Sequence, residues 1–275
     1  MSGPPEEPDR IDPRRVEQVG RALLTRRIDD ARSAVITTGR FTDLFAAWEA
    51  HAVVWQTARD PFSHSCMRQG LAAAALDLAN RPRDEEIAWT LHFERPPTNV
   101  FLTGEARAGI VTGRVYTDGV RADASSRLYV TSRRSGGPQT TSSIDVDRFD
   151  LLEIFEIYYR RSEQRPARFL ELEEDRFSLF LSLPGGDPSW FETLGAEEAA
   201  SRVDAGRLLE ERPFRFECGC NPRRMVVALR DLFEEEPESL FEGNEEVETF
   251  CPRCGRRWTI TREAFDAGGP TGERS

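Results

Sequence analysis

The spacing of apolar and polar residues changes rhythm several times along the chain, and each change marks an element. Ser33 to Thr38 is a short apolar run closed by Gly39 and predicts a strand. Phe41 to Val54 then places apolar residues at helical spacing, and His64 to Ala79 is a second helical stretch rich in alanine and leucine. Ile87, Trp89, Leu91 and Phe93 alternate with smaller or polar neighbours, the period of a strand with one face buried. Val100 to Leu102, Gly109 to Tyr116 and Arg127 to Thr131 are β-type runs separated by glycine, aspartate and serine, so an antiparallel meander is expected. Over Arg148 to Arg161 the helical period returns. Leu151, Leu152, Phe155, Tyr158 and Tyr159 share one face, and Glu153, Glu156 and Arg160 share the other, so this helix should dock on a sheet. Phe169 to Leu172 and Phe177 to Leu183 flank the acidic turn Glu173-Glu174-Asp175 and predict a hairpin.

Pro184-Gly185-Gly186-Asp187-Pro188 interrupts this pattern, and a modest charged helix is expected between Ala196 and Leu209. The fold class read from these elements is α+β. Residues 1–10 are expected to be disordered, 11–184 to form an N-terminal domain of antiparallel sheet with packed helices, and 185–213 to be a helical linker. Residues 214–266 would form a small C-terminal domain, and 267–275 a disordered tail.

Composition narrows the function. Of the 275 residues 39% are hydrophobic and 31% charged, enough apolar material for a packed core. A formal net charge of -11 disfavours nucleic acid and anionic membrane surfaces as partners, because like charge repels before contact. All 37 basic residues are arginine, which removes Schiff-base lysines and phosphate-loop lysines from consideration. No apolar run approaches the roughly 18 residues of a membrane span, and Met1 to Arg10 is proline-rich and acidic, unlike a signal peptide. A cytoplasmic location is therefore expected. In that reducing compartment clustered cysteines read as metal ligands or redox sensors before structural disulfides.

Four of the five cysteines lie near the end as Cys218-Gly219-Cys220 and, thirty residues later, Cys251-Pro252-Arg253-Cys254. Two short-spaced pairs around a foldable segment can supply the four corners of a zinc tetrahedron, so one zinc ion on Cys218, Cys220, Cys251 and Cys254 is the expected cofactor. Four unrelated thiols and a resting pair of disulfides are the weaker alternatives. Pro252 stiffens the second pair, and Gly255 lets backbone amides approach the sulfurs. Between the pairs, Asn221 is a good N-cap, Pro222 suits the first helical position, and Met225, Leu229, Leu232 and Phe233 form an apolar stripe. Val247 leads into the second pair by a strand, and Trp258 and Ile260 lead out by another. A domain this small buries little apolar area, so metal binding would supply most of its folding free energy. The single residue between Cys218 and Cys220 is short for a structural zinc ribbon. Zinc-bound thiolates stay deprotonated and can attack peroxide or hypochlorous acid, so this spacing favours redox chemistry.

The Cys-x-Cys pair, the thirty-residue gap and the Cys-x-x-Cys pair, followed by Gly255 and Trp258, resemble the zinc domain of the redox-regulated heat-shock chaperones of the thirty-three-kilodalton class. Tyr158-Tyr159-Arg160-Arg161-Ser162-Glu163-Gln164-Arg165-Pro166 is similar to that family's helix end, which reads tyrosine and then Ser-Glu-Gln-x-Pro; Thr37-Thr38-Gly39 is a weaker match. The resemblance implies an ATP-independent holdase. Reduced members hold zinc and are inactive. Under oxidative stress neighbouring cysteines pair, here Cys218 with Cys220 and Cys251 with Cys254, zinc leaves, and a surface for unfolded client proteins is exposed. The oxidised form is expected to be a homodimer. The region between Leu183 and Cys218 is short for the family, and Glu94-Arg95-Pro96-Pro97-Thr98 stands where members carry a glycine-rich hairpin.

Two other readings compete with the holdase. A zinc-stabilised interaction or adaptor protein would keep the fold and lack the switch, and the short linker motivates it. An enzyme is not expected: His51, His64 and His92 are the only histidines, no nucleophile elbow or glycine-rich phosphate loop is present, and four thiolates leave zinc no open position. Cys66, inside the alanine-rich helix, reads as a small buried apolar residue. Acidic residues outnumber basic ones between Phe214 and Phe265, which again disfavours a nucleic-acid-binding ribbon.

Overall fold

A computed structural model describes residues 20–58, 60–120 and 125–266, and within it the chain forms two compact units that divide after Glu217. The expected loose ends, 1–10 and 267–275, lie outside the described residues.

The first unit is built on one ten-stranded sheet. Its strands in chain order are β1 (Arg21–Asp29), β2 (Ala34–Arg40), β3 (Glu85–Phe93), β4 (Thr98–Glu105), β5 (Ile110–Tyr116), β6 (Arg127–Arg134), β7 (Gln139–Asp145), β8 (Ala167–Glu173), β9 (Arg176–Ser182) and β10 (Arg207–Phe216). Across the sheet they run β7-β6-β3-β4-β5-β10-β1-β2-β9-β8. Every pairing is antiparallel except that of β10 with β5, where Arg215 lies opposite Ile110 and Phe216 opposite Val111. The expected meander and the hairpin around Glu173-Glu174-Asp175 are both present.

Helices α1 (Thr42–Trp55), α2 (Pro61–Ala79) and α3 (Leu151–Arg161) cover one face. Asp60 caps α2 by accepting from the Phe62 and Ser63 amides, and Pro61 starts it where no amide is needed. From Cys66 to Ala79 almost every residue of α2 is buried, because α2 is enclosed between the sheet and α3. That burial explains its alanine-rich, non-amphipathic sequence: a helix enclosed all round needs small side chains to approach its neighbours. The approach is close at Gly104, where an added Cβ would sit 2.2 Å from Leu78 Cδ1. α3 begins at Leu151, three residues later than the sequence suggests, because Asp150 is its cap: it accepts from the Glu153 amide at 3.0 Å and from Gln69 Nε2 at 3.0 Å. The face of α3 that carries Leu151, Leu152, Phe155, Tyr158 and Tyr159 is buried as expected.

The stretch 185–213, expected as a linker, is folded into the first unit. Two short helices, α4 (Pro188–Thr193) and α5 (Ala196–Arg202), place Trp190, Phe191, Leu194, Ala199 and Val203 against Ala34, Ile36 and Phe180. This second cluster covers the other face of β2 and β9, which is why almost every residue of β2 and β9 is buried rather than every second one. The helix expected to reach Leu209 stops at Arg202, and Leu208 and Leu209 belong to β10. The charged sequence of β10 hides its role: between β1 and β5 it joins the two halves of the sheet. Its Arg212 is buried and donates to the carbonyls of Leu78 and Ala79 at the C-terminal end of α2, and to that of Ala106 after β4. Phe214, expected to open the C-terminal domain, lies in this strand and in the first unit's core. No helix among the described residues is long and apolar enough to cross a membrane.

Candidate metal centre

The second unit has a helical half and a hairpin half. Asn221 Oδ1 accepts from the Arg224 amide at 3.0 Å and Pro222 follows, so the chain leaves Cys220 directly into α6 (Pro222–Glu235). A short α7 (Pro237–Phe241) turns it back toward the antiparallel pair β11 (Glu246–Phe250) and β12 (Arg257–Thr261), where Val247 faces Ile260 and Phe250 faces Arg257. A last helical turn, α8 (Arg262–Asp266), closes the unit. Arg262 grips both carboxylate oxygens of Glu238, at 2.8 and 3.0 Å, and so joins α7 to the end of the hairpin. Met225 and Val226 are buried, while Leu229 and Phe233 are partly buried. Leu232, placed on the apolar stripe by its spacing, is exposed instead.

Cys251 to Gly255 forms the tight turn between the hairpin strands. The Cys251 amide donates to the Arg256 carbonyl at 2.8 Å, and the Gly255 amide donates to the Cys251 carbonyl at 2.8 Å. Gly255 has a φ of 78°, a left-handed conformation open to glycine without strain. On the helical side, Arg224 Nη1 donates to the Gly219 carbonyl at 2.8 Å and holds the Cys218-Gly219-Cys220 loop against the first turn of α6.

These two loops bring four sulfurs together. Sγ of Cys218 lies 3.8 Å from that of Cys251, Sγ of Cys220 lies 3.7 Å from that of Cys254, and all four fall within 4.8 Å of one another. A tetrahedral zinc ion with Zn–S bonds of about 2.3 Å spaces its sulfurs about 3.8 Å apart, so the donor set and its spacing fit zinc. Cys251 and Cys254 are buried, while Cys218 and Cys220 are half-buried. The thiols share their protons unequally. Hydrogen bonds from the sulfurs of Cys218, Cys220 and Cys254 hold the Cys251 thiol well below the ordinary thiol range, so a thiolate, the form that binds metal, already has its place. Among the described residues no other group of three or more histidine, cysteine or carboxylate side chains converges in this way.

The remaining candidates lie elsewhere. Cys66 is buried in α2, where burial first and then the charges of Asp60 and Asp150 push its thiol up to about 12. His51 is buried on α1 with its ring against Phe216, His64 Nε2 lies 3.0 Å from Glu49, and His92 Nδ1 lies 2.6 Å from Asn99. The Ser162 segment forms the C-terminal end of α3, and it belongs to a network that the sequence reading missed. Arg81 donates to Asp77 at 2.9 Å and to Glu163 at 3.0 Å, Tyr158 donates to Glu163 at 2.6 Å, and Tyr159 donates to Asp77. The four-residue spacing of Asp77 and Arg81 on one helix was the available signal.

With this geometry established, comparison with known proteins places the chain. The family model described as Hsp33 protein matches residues 187–261. A 33 kDa chaperonin of Caldanaerobacter subterraneus subsp. tengcongensis is 35% identical over 60 residues, covering 22% of this chain and 20% of that protein. A 33 kDa chaperonin of Nitrosococcus oceani is 27% identical over 161 residues, covering 50% of this chain and 56% of its own length. The chain thus aligns with a fifth of the length of the first of these curated relatives and little more than half of the second. The crystal structure of the 33 kDa chaperonin of Thermotoga maritima superposes with a TM-score of 0.68 at 14% identity, over 90% of this chain and 97% of that one, which establishes a shared fold. By its sequence matches this chain is similar to the Hsp33 family over residues 187–261, and by its fold it is similar to a 33 kDa chaperonin over most of its length.

Proposed function

We propose that the protein is a redox-controlled, ATP-independent holdase whose second unit is a zinc-held switch. The observation that carries the reading is the convergence of Cys218, Cys220, Cys251 and Cys254 at tetrahedral spacing inside a unit with a small apolar core. That core consists of Met225, Val226, Phe241, Ile260 and Phe265 around the buried Cys251 and Cys254. A bound zinc ion would hold four thiolates in place and contribute about 10–16 kcal/mol, as much as the whole stability of a typical small domain.

The chain's own residues perform the switch. A thiolate attacks the terminal oxygen of a peroxide, forming a sulfenic acid and releasing the other oxygen as water or alcohol. A neighbouring thiolate then attacks that sulfur, the S–S bond forms, and hydroxide leaves; two electrons have passed from two sulfurs to the oxidant. Within each sequence-adjacent pair, Cys218 with Cys220 and Cys251 with Cys254, the partner is on the same loop. Two disulfides leave no thiolate for the metal, and without that link α6 and the hairpin lose their common anchor. Apolar groups such as Met225, Val226, Ile260 and Phe265 then become available to unfolding client proteins, and two oxidised chains can associate through the same surface.

The test is a titration of the zinc-loaded, reduced protein with hypochlorous acid. Zinc release, thiol loss and suppression of aggregation of a chemically unfolded client are followed on the same samples. The reading requires all three to rise together. A second reading, a zinc-stabilised adaptor without a switch, draws support from the folding of residues 185–213 into the first unit, which leaves no free linker there to unfold. Zinc release without holdase activity or new dye-binding surface selects that reading.

A further inference from the structure

The Ser162-Glu163-Gln164-Arg165-Pro166 segment does more than end a helix: it forms one wall of a cleft remote in sequence from the cysteines. The cleft encloses about 440 Å³ between the last turn of α3, the start of β8 and α4, within the usual range for small-molecule sites. Three guanidiniums, of Arg160, Arg165 and Arg168, line it against two carboxylates, of Glu156 and Glu192. In a chain with net charge -11 this local excess of positive charge is unusual.

Glu156 and Arg168 pair with each other, so the guanidiniums of Arg160 and Arg165 face one remaining carboxylate, that of Glu192. Glu156 is fully engaged, accepting from the Phe169 amide at 2.8 Å and from Arg168 Nη1 at 2.8 Å. Arg168 also donates through Nε to the Leu194 carbonyl at 3.1 Å, so its position is set. Arg165 places Nε and Nη2 on the Ser182 carbonyl, at 3.3 and 2.8 Å, which leaves Nη1 for another acceptor. Among the described residues Arg160 has no side-chain partner. The remaining wall is apolar, formed by Pro166, Pro188 and the ring of Phe191.

Gln164 adds a second argument. After α3 the Arg165 amide donates back to the Tyr159 carbonyl at 3.1 Å, and Gln164 takes a φ of 54° to allow it. This is the left-handed helix-ending position where glycine is the usual residue. A glutamine there accepts a backbone conformation that glycine adopts more easily, and Gln164 lines the cleft, where its side-chain amide is available to a ligand.

We propose that this cleft binds a small organic anion, a phosphate or carboxylate carried on a flat apolar body. The anionic group meets Arg160 and the free edge of Arg165, the Gln164 amide bonds at the rim, and the apolar body lies along Pro166 and Pro188. The site is independent of the cysteine cluster and of the holdase reading.

The experiment is calorimetric titration of the zinc-loaded 275-residue chain with phenyl phosphate, benzoate and inorganic phosphate. Arg160→Gln, Gln164→Gly and the remote Arg223→Gln are titrated alongside, each checked for unchanged thermal unfolding. Gln164→Gly suits the left-handed turn and so keeps the fold. The expected result is saturable binding of phenyl phosphate or benzoate, weakened at least tenfold by Arg160→Gln and about threefold by Gln164→Gly, and unchanged by Arg223→Gln. Absence of saturable binding by both organic probes overturns the proposal, as does equal weakening by Arg223→Gln. Inorganic phosphate bound as tightly as phenyl phosphate overturns it as well, since the apolar wall would then contribute nothing.

Discussion

The phenol of Tyr159 donates to the carboxylate of Asp77, and both groups are buried in the core of the first unit, where Arg81 also donates to Asp77 Oδ1 at 2.9 Å. One oxygen of Asp77 thus takes two donors, while its other oxygen is buried with no partner. A buried carboxylate held this way tolerates poorly the loss of either donor. Tyr159→Phe is expected to lower unfolding free energy by about 1–3 kcal/mol, and Asp77→Ala, which removes the acceptor of the buried Tyr159 hydroxyl and the 2.9 Å partner of Arg81, by about 3–5 kcal/mol. Urea unfolding followed by tryptophan fluorescence measures both. A loss below 0.5 kcal/mol for Asp77→Ala would show that the network is not structural.

The second unit should depend on its sulfurs far more than on its apolar core. Cys254→Ser is expected to abolish high-affinity zinc binding and to leave residues 218–266 unfolded while the first unit keeps its fold. Limited proteolysis with mass mapping checks this: cleavage should concentrate beyond Glu217. Protection of the variant's α6 equal to that of the parent would contradict the account.

Capping makes a smaller and graded prediction. Asn221 Oδ1 serves the Arg224 amide at the start of α6, so Asn221→Ala should weaken the second unit by about 1 kcal/mol. Because the same turn positions Cys220, zinc should leave this variant at a lower oxidant concentration, which a colorimetric chelator in the hypochlorous acid titration would read.

Cys66 supplies a pH dependence whose sign can be worked out. Its folded thiol is pushed up to about 12 from an ordinary value of 9.0, chiefly by burial. Between those values the unfolded chain loses the proton while the folded chain retains it, so stability is full below pH 9 and falls as pH rises toward 12. Cys66→Ala should flatten the part of that fall due to this thiol, seen by urea unfolding of the first unit between pH 8 and 11. The buried hydroxyl of Tyr159, held well above 10.0 by burial, adds a fall of the same sign that the variant leaves in place. In the native state at pH 8, Cys66 should also resist a thiol reagent under conditions that unfolding reverses.

Much of the first unit was readable from rhythm alone. Ile87, Trp89, Leu91 and Phe93 alternate because one face of β3 is covered; in the second unit Asn221-Pro222 marks a helix start by local chemistry, while α2, expected from His64, starts at Pro61 behind the Asp60 cap. Three strands were not legible. β1 and β10 carry charged residues at about half of their positions, and β7 is polar and largely exposed, so none shows a clear apolar period. Residues 188–203 read as linker because their apolar residues are few and widely spaced. Trp190, Phe191 and Leu194 are nevertheless enough to cover the face of β2 and β9 that α1 to α3 leave open.

The sequence by itself determined what is encoded over short distances. That includes the caps, the periods of the helices and of the strands with one covered face, and the two cysteine pairs whose spacing names a metal chemistry, because each depends on neighbours a few residues apart. Only the tertiary structure decided which strand joins the halves of the sheet, that Arg212 closes α2, and that the end of α3 opens onto an arginine-lined cleft. These depend on groups more than a hundred residues apart or on neighbouring segments folded against one another. No local pattern records a hydrogen bond whose acceptor arrives from another element.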